Sequence, residues 1–460
     1  MHTAISAIHE RWDVVVVGGG SAGWVSAVAA ARGGARTLLV ERYGFLGGTA
    51  AGVMLGGFGG LYTSKTREQQ IFGIPDEAIE RMSRYGGSVG LVPDGWTGAT
   101  PYDKEILKHV AAELVTEAGA EILFHAQFVE TRVTGNTVDG IVVAVKNGLH
   151  YIPAKVVIDA SGDGDVFGSA GAAYEKGGLA GELQPTTIMF KIGGVDRDDI
   201  LSYARQHPEN INTKLDGNMI PTTLSGYYEQ VKEAVEAGEY APGMDRLAIH
   251  FTLQNNEVIM NMLHTTKIDA TDPWSLTRSE LEGRKQVLPA LAMLRKRIPG
   301  FENAYLIETG VQAGTRETRR LVGEYVLTGE DVTSAAKFPD GVLRTSGAVS
   351  MHDPNGKHQT KVIWLEKPYE VPYRCLVPRD VDGLLVAGRC ISADHVGLAS
   401  VRSAGAALGL GQVAGTAAAL AVANGVQPRK VDVQMLKDQL KAHEDHAESV
   451  KQAAPRHASA

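Results

Sequence analysis

Apolar residues along this chain fall into short unbroken blocks, helical stripes and one long run of small residues. Val14 to Val17 is an unbroken block that ends on Gly18, Gly19 and Gly20. An alanine-rich stretch, Ala22 to Arg32, follows and is halted by Gly33-Gly34; a second block, Thr37 to Val40, ends at Glu41. Such blocks read as strands buried on both faces, and the stretch between them as a crossover helix stopped by glycine. A glycine-rich loop, residues 42–60, comes next. Ile106, Leu107, Val110, Ala111, Leu114 and Val115 then recur at helical spacing; Thr100-Pro101-Tyr102-Asp103 predicts the helix start and Gly119 its end. Strand-like runs at 128–133, 138–145 and 150–152 are separated by turn signals at Asn136 and Asn147-Gly148. Val156 to Asp159 is a third buried block and again enters a glycine-rich turn, Ala160-Ser161-Gly162-Asp163-Gly164.

The texture changes after about residue 175. Charged amphipathic segments appear, such as Thr277 to Arg297, which opens Thr277-x-x-Glu280, and proline-containing strands such as Trp364 to Leu376. The block-into-glycine pattern returns at Gly383 to Gly388, and the small-residue run Ala404 to Ala423 follows. That run is mostly Ala and Gly with Gln412 and Thr416 inside, so a buried, closely packed helix is expected rather than a membrane span. The expected organisation is a split α/β domain, residues 1–175 and 379–440, around an inserted α+β domain, 176–378. A polar tail spans 441–460.

Chemistry enters with the first glycines. Gly18, Gly20 and Gly23 fit G-x-G-x-x-G between a strand and a helix, and Glu41 lies 18 residues beyond Gly23. This is the arrangement of a Rossmann-like nucleotide site. Glycines let backbone approach a pyrophosphate, free N–H groups of a helix N-terminus receive it, and the acid takes the ribose hydroxyls. Three cofactor-like segments, near residues 20, 160 and 388, suit a long dinucleotide spread over a split domain better than NAD on a single unit.

Composition narrows the picture. The net charge of −8 over 460 residues implies no basic face for nucleic acid. Two cysteines, Cys375 and Cys390, give no sign of a disulfide scaffold, are too few for Fe–S ligation and fit a reducing, cytoplasmic setting. The N-terminal residues lack a basic and an apolar signal region, so no signal peptide is expected. No metal site is expected, and homo-oligomerisation is compatible with the sequence.

Five motifs together resemble the FAD-dependent oxidoreductases allied to the fumarate reductase and succinate dehydrogenase flavoproteins. They are the first glycine motif with Glu41; Arg42 to Thr49; Ile158 to Asp165; Arg316-Glu317-Thr318-Arg319-Arg320; and Leu385 to Ser392, continuing into Leu408 to Gly415. The resemblance implies FAD. Gly18, Gly20, Ser21, Ala22 and Gly23 would hold its pyrophosphate, with Glu41, Arg42, Gly48, Thr49 and Phe128 along the adenosine. Ala160, Ser161, Gly162, Gly388 and Arg389 would be further contacts, and Gly405 and Ala406 would let a helix N-terminus reach the flavin. Many relatives carry Asp, not Arg, at the position of Arg389.

The residues expected to act on a small-molecule substrate are His395, His352 and Arg402, with Arg316 and Arg374 as binding residues. A histidine moves a proton while hydride passes between substrate carbon and flavin N5, and arginines hold an anionic or oxygenated group. No second glycine motif offers an NAD(P)H domain, so O₂, a quinone or a carrier protein is expected as electron partner. A flavin-dependent aromatic hydroxylase is the alternative enzyme, suggested by Ser161-Gly162-Asp163-Gly164; a non-redox binding protein of the same fold is the second. The W-x-W-x-I-P motif of tryptophan halogenases is absent.

Overall fold

A computed structural model describes residues 6–7, 11–63, 66–90, 95–215, 217–241, 243–354 and 361–453. Strand β1 (Trp12–Val17) leads through Gly18 to Gly20 into α1 (Ser21–Arg32) and back to β2 (Thr37–Val40). Helix α2 (Lys104–Glu117) and β3 (Glu121–Leu123) follow. Then come β4 (Gln127–Thr134), β5 (Thr137–Val145) and β6 (Gly148–Asp159), before the short helix α3 (Asp165–Ser169). Strands β3, β2, β1 and the second half of β6 lie parallel in that order. The strand Leu384–Val386, far downstream, completes this parallel layer beside β6, its three residues pairing with Val157 to Asp159. The chain therefore has a doubly wound α/β core closed by its own C-terminal part.

Strand β6 corrects one expectation. The two runs at 150–152 and 156–159 form a single strand. Its first half pairs antiparallel with β5 and its second half parallel with β1. Pro153 sits between the halves, where the strand changes partner. A second correction concerns α2. Its cap is Asp103, whose carboxylate accepts from the backbone N–H groups of Glu105 and Ile106. Thr100-Pro101 instead forms a two-residue strand against Gly57-Phe58.

The inserted region carries its own sheet. In it, β7 (Phe190–Gly193), β8 (Thr223–Gly226), β9 (Leu247–Phe251), β10 (Glu257–Met260) and β11 (Tyr305–Thr309) are antiparallel, in spatial order β8-β9-β10-β7-β11. They enclose a separate apolar core that includes Phe190, Ile249, Phe251, Val258 and Met260. The amphipathic segment 277–297 lies in two helices, α4 (Pro273–Lys285), capped by Asp272, and α5 (Val287–Arg297). Pro289 cannot sit inside a continuous helix, because its ring and missing N–H break the ladder. The described residues of 319–378, expected to belong to the insertion, pack elsewhere: Leu321, Leu327, Tyr369, Val371 and Leu376 join the core of the parallel-sheet domain.

After β12 (Leu384–Val386) come α6 (His395–Val401), α7 (Ala404–Asn424) and α8 (Val433–Ala453). The polar tail expected from Lys441 is helical through Ala453; residues 454–460 lie outside the described residues. Helix α7 is buried against α1. A Cβ on Gly411 would lie 2.2 Å from the Ala22 carbonyl oxygen, and one on Gly415 2.2 Å from that of Ser26. Small residues here bring two helix backbones together, which explains a run apolar enough for a membrane inside a protein core.

Candidate active site

The glycine turns of the parallel layer meet at the C-terminal ends of its strands, where open α/β sheets bind ligands. Gly18 has φ +96°, and a Cβ there would lie 2.6 Å from the Ala160 carbonyl oxygen; a Cβ on Gly23 would lie 1.7 Å from the Gly18 oxygen. These contacts join the first and second glycine turns and admit no side chain. The N-terminus of α1 has no side-chain cap and no acid in its first turn. Its N–H groups are thus available to an anion.

A cavity of about 380 Å³ runs from this point into the inserted domain. One end is lined by Gly18, Gly20, Ser21, Ala22, Glu41, Arg42, Gly48, Thr49 and Phe128. Its middle is lined by Ala160, Ser161, Gly162, Asp163, Gly388 and Arg389, and its far end by Asn261, Arg316, Ser350, His352 and Arg402. Gly23 does not line it; its part is the close packing of α1 on the first turn. Gly405 and Ala406 do not line it either, because Gly405 packs on the Gly59 carbonyl; Ser403, Ala404 and Ala407 present the start of α7 instead.

Glu41 is buried and its two oxygens accept from the backbone N–H groups of Gly19, at 2.6 Å, and Tyr43, at 2.8 Å. A carboxylate has further lone pairs, so it can still accept from ribose hydroxyls. Asp159, fully buried, accepts from Ser161 and from the N–H groups of Val166 and Phe167, which fixes the second glycine turn and caps α3. Asp165 lies in the cavity wall. Burial, then the nearby Asp163 and Asp159, raise its carboxyl to about 6. The backbone-lined anion end and the buried acid match the diphosphate and the adenosine ribose of FAD.

The far end is a polar network. Arg402 donates to the Ser350 carbonyl at 2.8 Å and to Gln184 Oε1 at 3.4 Å, and Gln184 Oε1 also accepts from the His352 backbone N–H at 3.4 Å. Arg316 donates to the Pro185 carbonyl and, at 3.5 Å, to Asn261. His264 stands edge-on to His352 with ring centroids 5.2 Å apart. Burial and the neighbouring Arg402 lower Arg316 to about 9; burial lowers Arg402 to about 10, with Arg389 adding to it and Glu317 opposing. Burial, then Arg316, hold His264 down at about 3. His352 is held well below 6.5, first by burial and then by Arg316, His264 and Arg402. Both imidazoles are neutral at pH 7, and both guanidiniums charged.

Two expected site residues lie elsewhere. His395 does not line the cavity. It is the first residue of α6, and its Nδ1 meets the buried Glu317 at 2.9 Å, which is also the partner of Arg320. Capping of α6 by Asp394 turns the imidazole toward that ion pair. Arg374 forms a two-pronged pair with Asp340 and lies over Tyr325, away from the cleft. Of the turn around His352, Asn355 and Gly356 lie outside the described residues. Cys390 is fully buried, and burial raises its thiol far above the usual range, so it supplies packing and no thiolate. Gln184, Asn261 and His264 were not singled out in the sequence. They stand alone between unrelated segments, and only the short spacing Asn261-x-x-His264 after β10 links two of them.

Fold and cleft together define a flavoprotein of the two-part dinucleotide-binding type. The chain belongs to the FAD dependent oxidoreductase family, whose pattern it matches over residues 13–440. It is an enzyme, and its cofactor is FAD. It is 33% identical over 84 residues to the fumarate reductase (cytochrome) of Shewanella frigidimarina, covering 18% of this chain and 14% of that protein. It is 31% identical over 160 residues to the thiamine thiazole synthase of Pyrococcus horikoshii, covering 33% of this chain and 58% of that one. The chain therefore spans less than two thirds of either relative. Among solved structures, a flavin-dependent brominase variant superposes with a TM-score of 0.49 at 13% identity, covering 96% of this chain and 86% of that one.

Proposed function

We propose that this enzyme exchanges hydride between a small organic anion and FAD, with Arg316 and Arg402 holding the anion and His352 carrying the proton. One observation carries the reading. Arg402 lines the cavity with its Nε buried and without a hydrogen-bond partner among the described residues, beside the buried Arg316. Two charged guanidiniums held together out of water are costly unless an anion joins them. A carboxylate or similar group is matched to their planar N–H forks.

FAD supplies the hydride acceptor or donor. The chain's own residues do the rest. In the oxidising direction the substrate C–H bond gives up hydride and an adjacent O–H or N–H gives its proton to His352. Neutral His352 is able to accept it. The anion's charge offsets that of Arg316 and Arg402, which raises the proton affinity of His352 as the substrate binds. Ser350, Gln184 and Asn261 fix the arginines so that their orientation precedes binding.

The test is anaerobic bleaching of the bound flavin by a panel of organic acids and their neutral amides. Acids bleach it and amides do not, and Arg402→Ala raises the half-saturating acid concentration about 10- to 100-fold, the worth of a charged hydrogen bond. Equal bleaching by amides, or an unchanged Arg402→Ala, would overturn the reading.

A further inference from the structure

Arg389 lines the middle of the cavity and takes no part in the proposed reaction. It follows Gly388, whose own Cβ, if present, would lie 3.2 Å from Cβ of Ala22. The turn after β12 therefore rests on the first turn of α1, where backbone N–H groups are uncapped. From there the side chain runs across the cleft to the second glycine turn. Gly162 leaves room for it: a Cβ there would lie 3.0 Å from Arg389 Nη2. Nη2 donates to Asp163 Oδ1 at 2.8 Å, and Asp163 Oδ1 also accepts from Thr318 at 3.0 Å. Asp163 thus fixes the guanidinium through one of its ends.

The other end is not satisfied. Arg389 Nη1 is buried and has no hydrogen-bond partner among the described residues, yet the residue lines the cavity. A buried charged N–H without a partner is rare and implies an acceptor that completes it. Its neighbours say which acceptor. Ala22 and Gly388 place Arg389 at the uncapped N-terminus of α1, the anion end of the cleft.

We propose that Arg389 donates through Nη1 to the diphosphate of FAD, so that this anion is held by one oriented guanidinium as well as by backbone, with Asp163 as the residue that positions the fork. The inference concerns the cofactor and stands whether or not the substrate is an anion. It also gives the arginine a purpose at a position where allied flavoproteins carry an acid.

Arg389→Gln tests it, because the amide can still donate to Asp163 while the charge is gone. Two readouts are needed: FAD release from the holoprotein, followed by flavin fluorescence, and binding of ADP and of adenosine to the deflavinated full chain by calorimetry. ADP keeps the diphosphate and lacks the flavin and ribitol; adenosine lacks the phosphates. The expected result is weaker FAD and ADP binding by the same factor, about 10- to 100-fold, with adenosine binding unchanged. Unchanged ADP binding would overturn the proposal. If FAD alone is weakened, the contact is to ribitol or ring. If only the affinity for a bleaching acid falls, Arg389 belongs to the substrate. Should the Gln variant not fold by circular dichroism, Arg389→Met, which keeps the volume of the stem, is judged by the same outcomes.

Discussion

The phosphate end and the proposed substrate end of this cleft are made of different material. At the first, the ligand-facing groups are backbone, brought close by glycines that touch one another: Gly18 on Ala160, Gly23 on Gly18, Gly388 on Ala22. At the second, they are long side chains, Arg316, His352 and Arg402, arriving from segments far apart in the chain and held by Gln184, Asn261 and Ser350. Backbone sites tolerate no added atom and depend little on side-chain charge, apart from the one guanidinium proposed for Arg389. Side-chain sites tolerate volume changes but depend on a balance of charges. Recognition of a universal cofactor suits the first and recognition of one substrate suits the second.

The two ends should fail differently. The largest effect is expected from His352→Ala, which should lower flavin reduction about 10²- to 10⁴-fold, as for loss of a general base, with the bound FAD spectrum intact. In the wild type the acidic limb of the reduction profile should lie below pH 6.5, because His352 stays neutral there. A limb at or above pH 6.5 in the free enzyme would remove His352 from the role. Gly23→Ala should do the opposite: the new methyl cannot fit 1.7 Å from the Gly18 oxygen. Overpacking of this kind costs about 3 kcal/mol, read as a lower Tm and loss of the 450-nm absorbance. If Gly23→Ala stays yellow and stable, the steric account of the phosphate end fails.

His395→Ala sharpens the boundary between the ends. Its imidazole meets Glu317 rather than the cleft, so stability should fall while reduction changes by no more than a few-fold, because Glu317 loses a partner. A loss as large as that of His352→Ala would return His395 to the chemistry. The smallest effect is expected at Asp165. Its folded carboxyl is raised from 3.8 to about 6, so the native state holds the proton more tightly than the unfolded chain. The stability it contributes is present below about pH 4 and is lost as pH rises toward about 6. Asp165→Asn should remove that decline, seen as a flatter Tm against pH between 4 and 6; an unchanged slope would show that the carboxyl is not perturbed.

The glycine spacing, the valine blocks and Glu41 determined the first half of the parallel layer and its nucleotide cleft, because period and turn chemistry are local properties. The long small-residue helix was legible for the same reason: only Gly and Ala allow the approach that α7 makes to α1. The union of two short runs into β6 was not legible, since a strand that changes partner at Pro153 is defined by its neighbours. Nor was the passage of residues 319–378 into the first core, because apolar residues there have no label saying which sheet they will cover. At the site, His352, Arg316 and Arg402 were marked by type and position, and their meeting was decided by the packing of the inserted sheet on the flavin domain. His395 had the same marks as His352 and faces away, because a cap at Asp394 and a buried Glu317 set its direction. The sequence alone determined where backbone meets the cofactor; the tertiary structure decided which charged side chains share one low-dielectric space, since that depends on contacts between segments hundreds of residues apart.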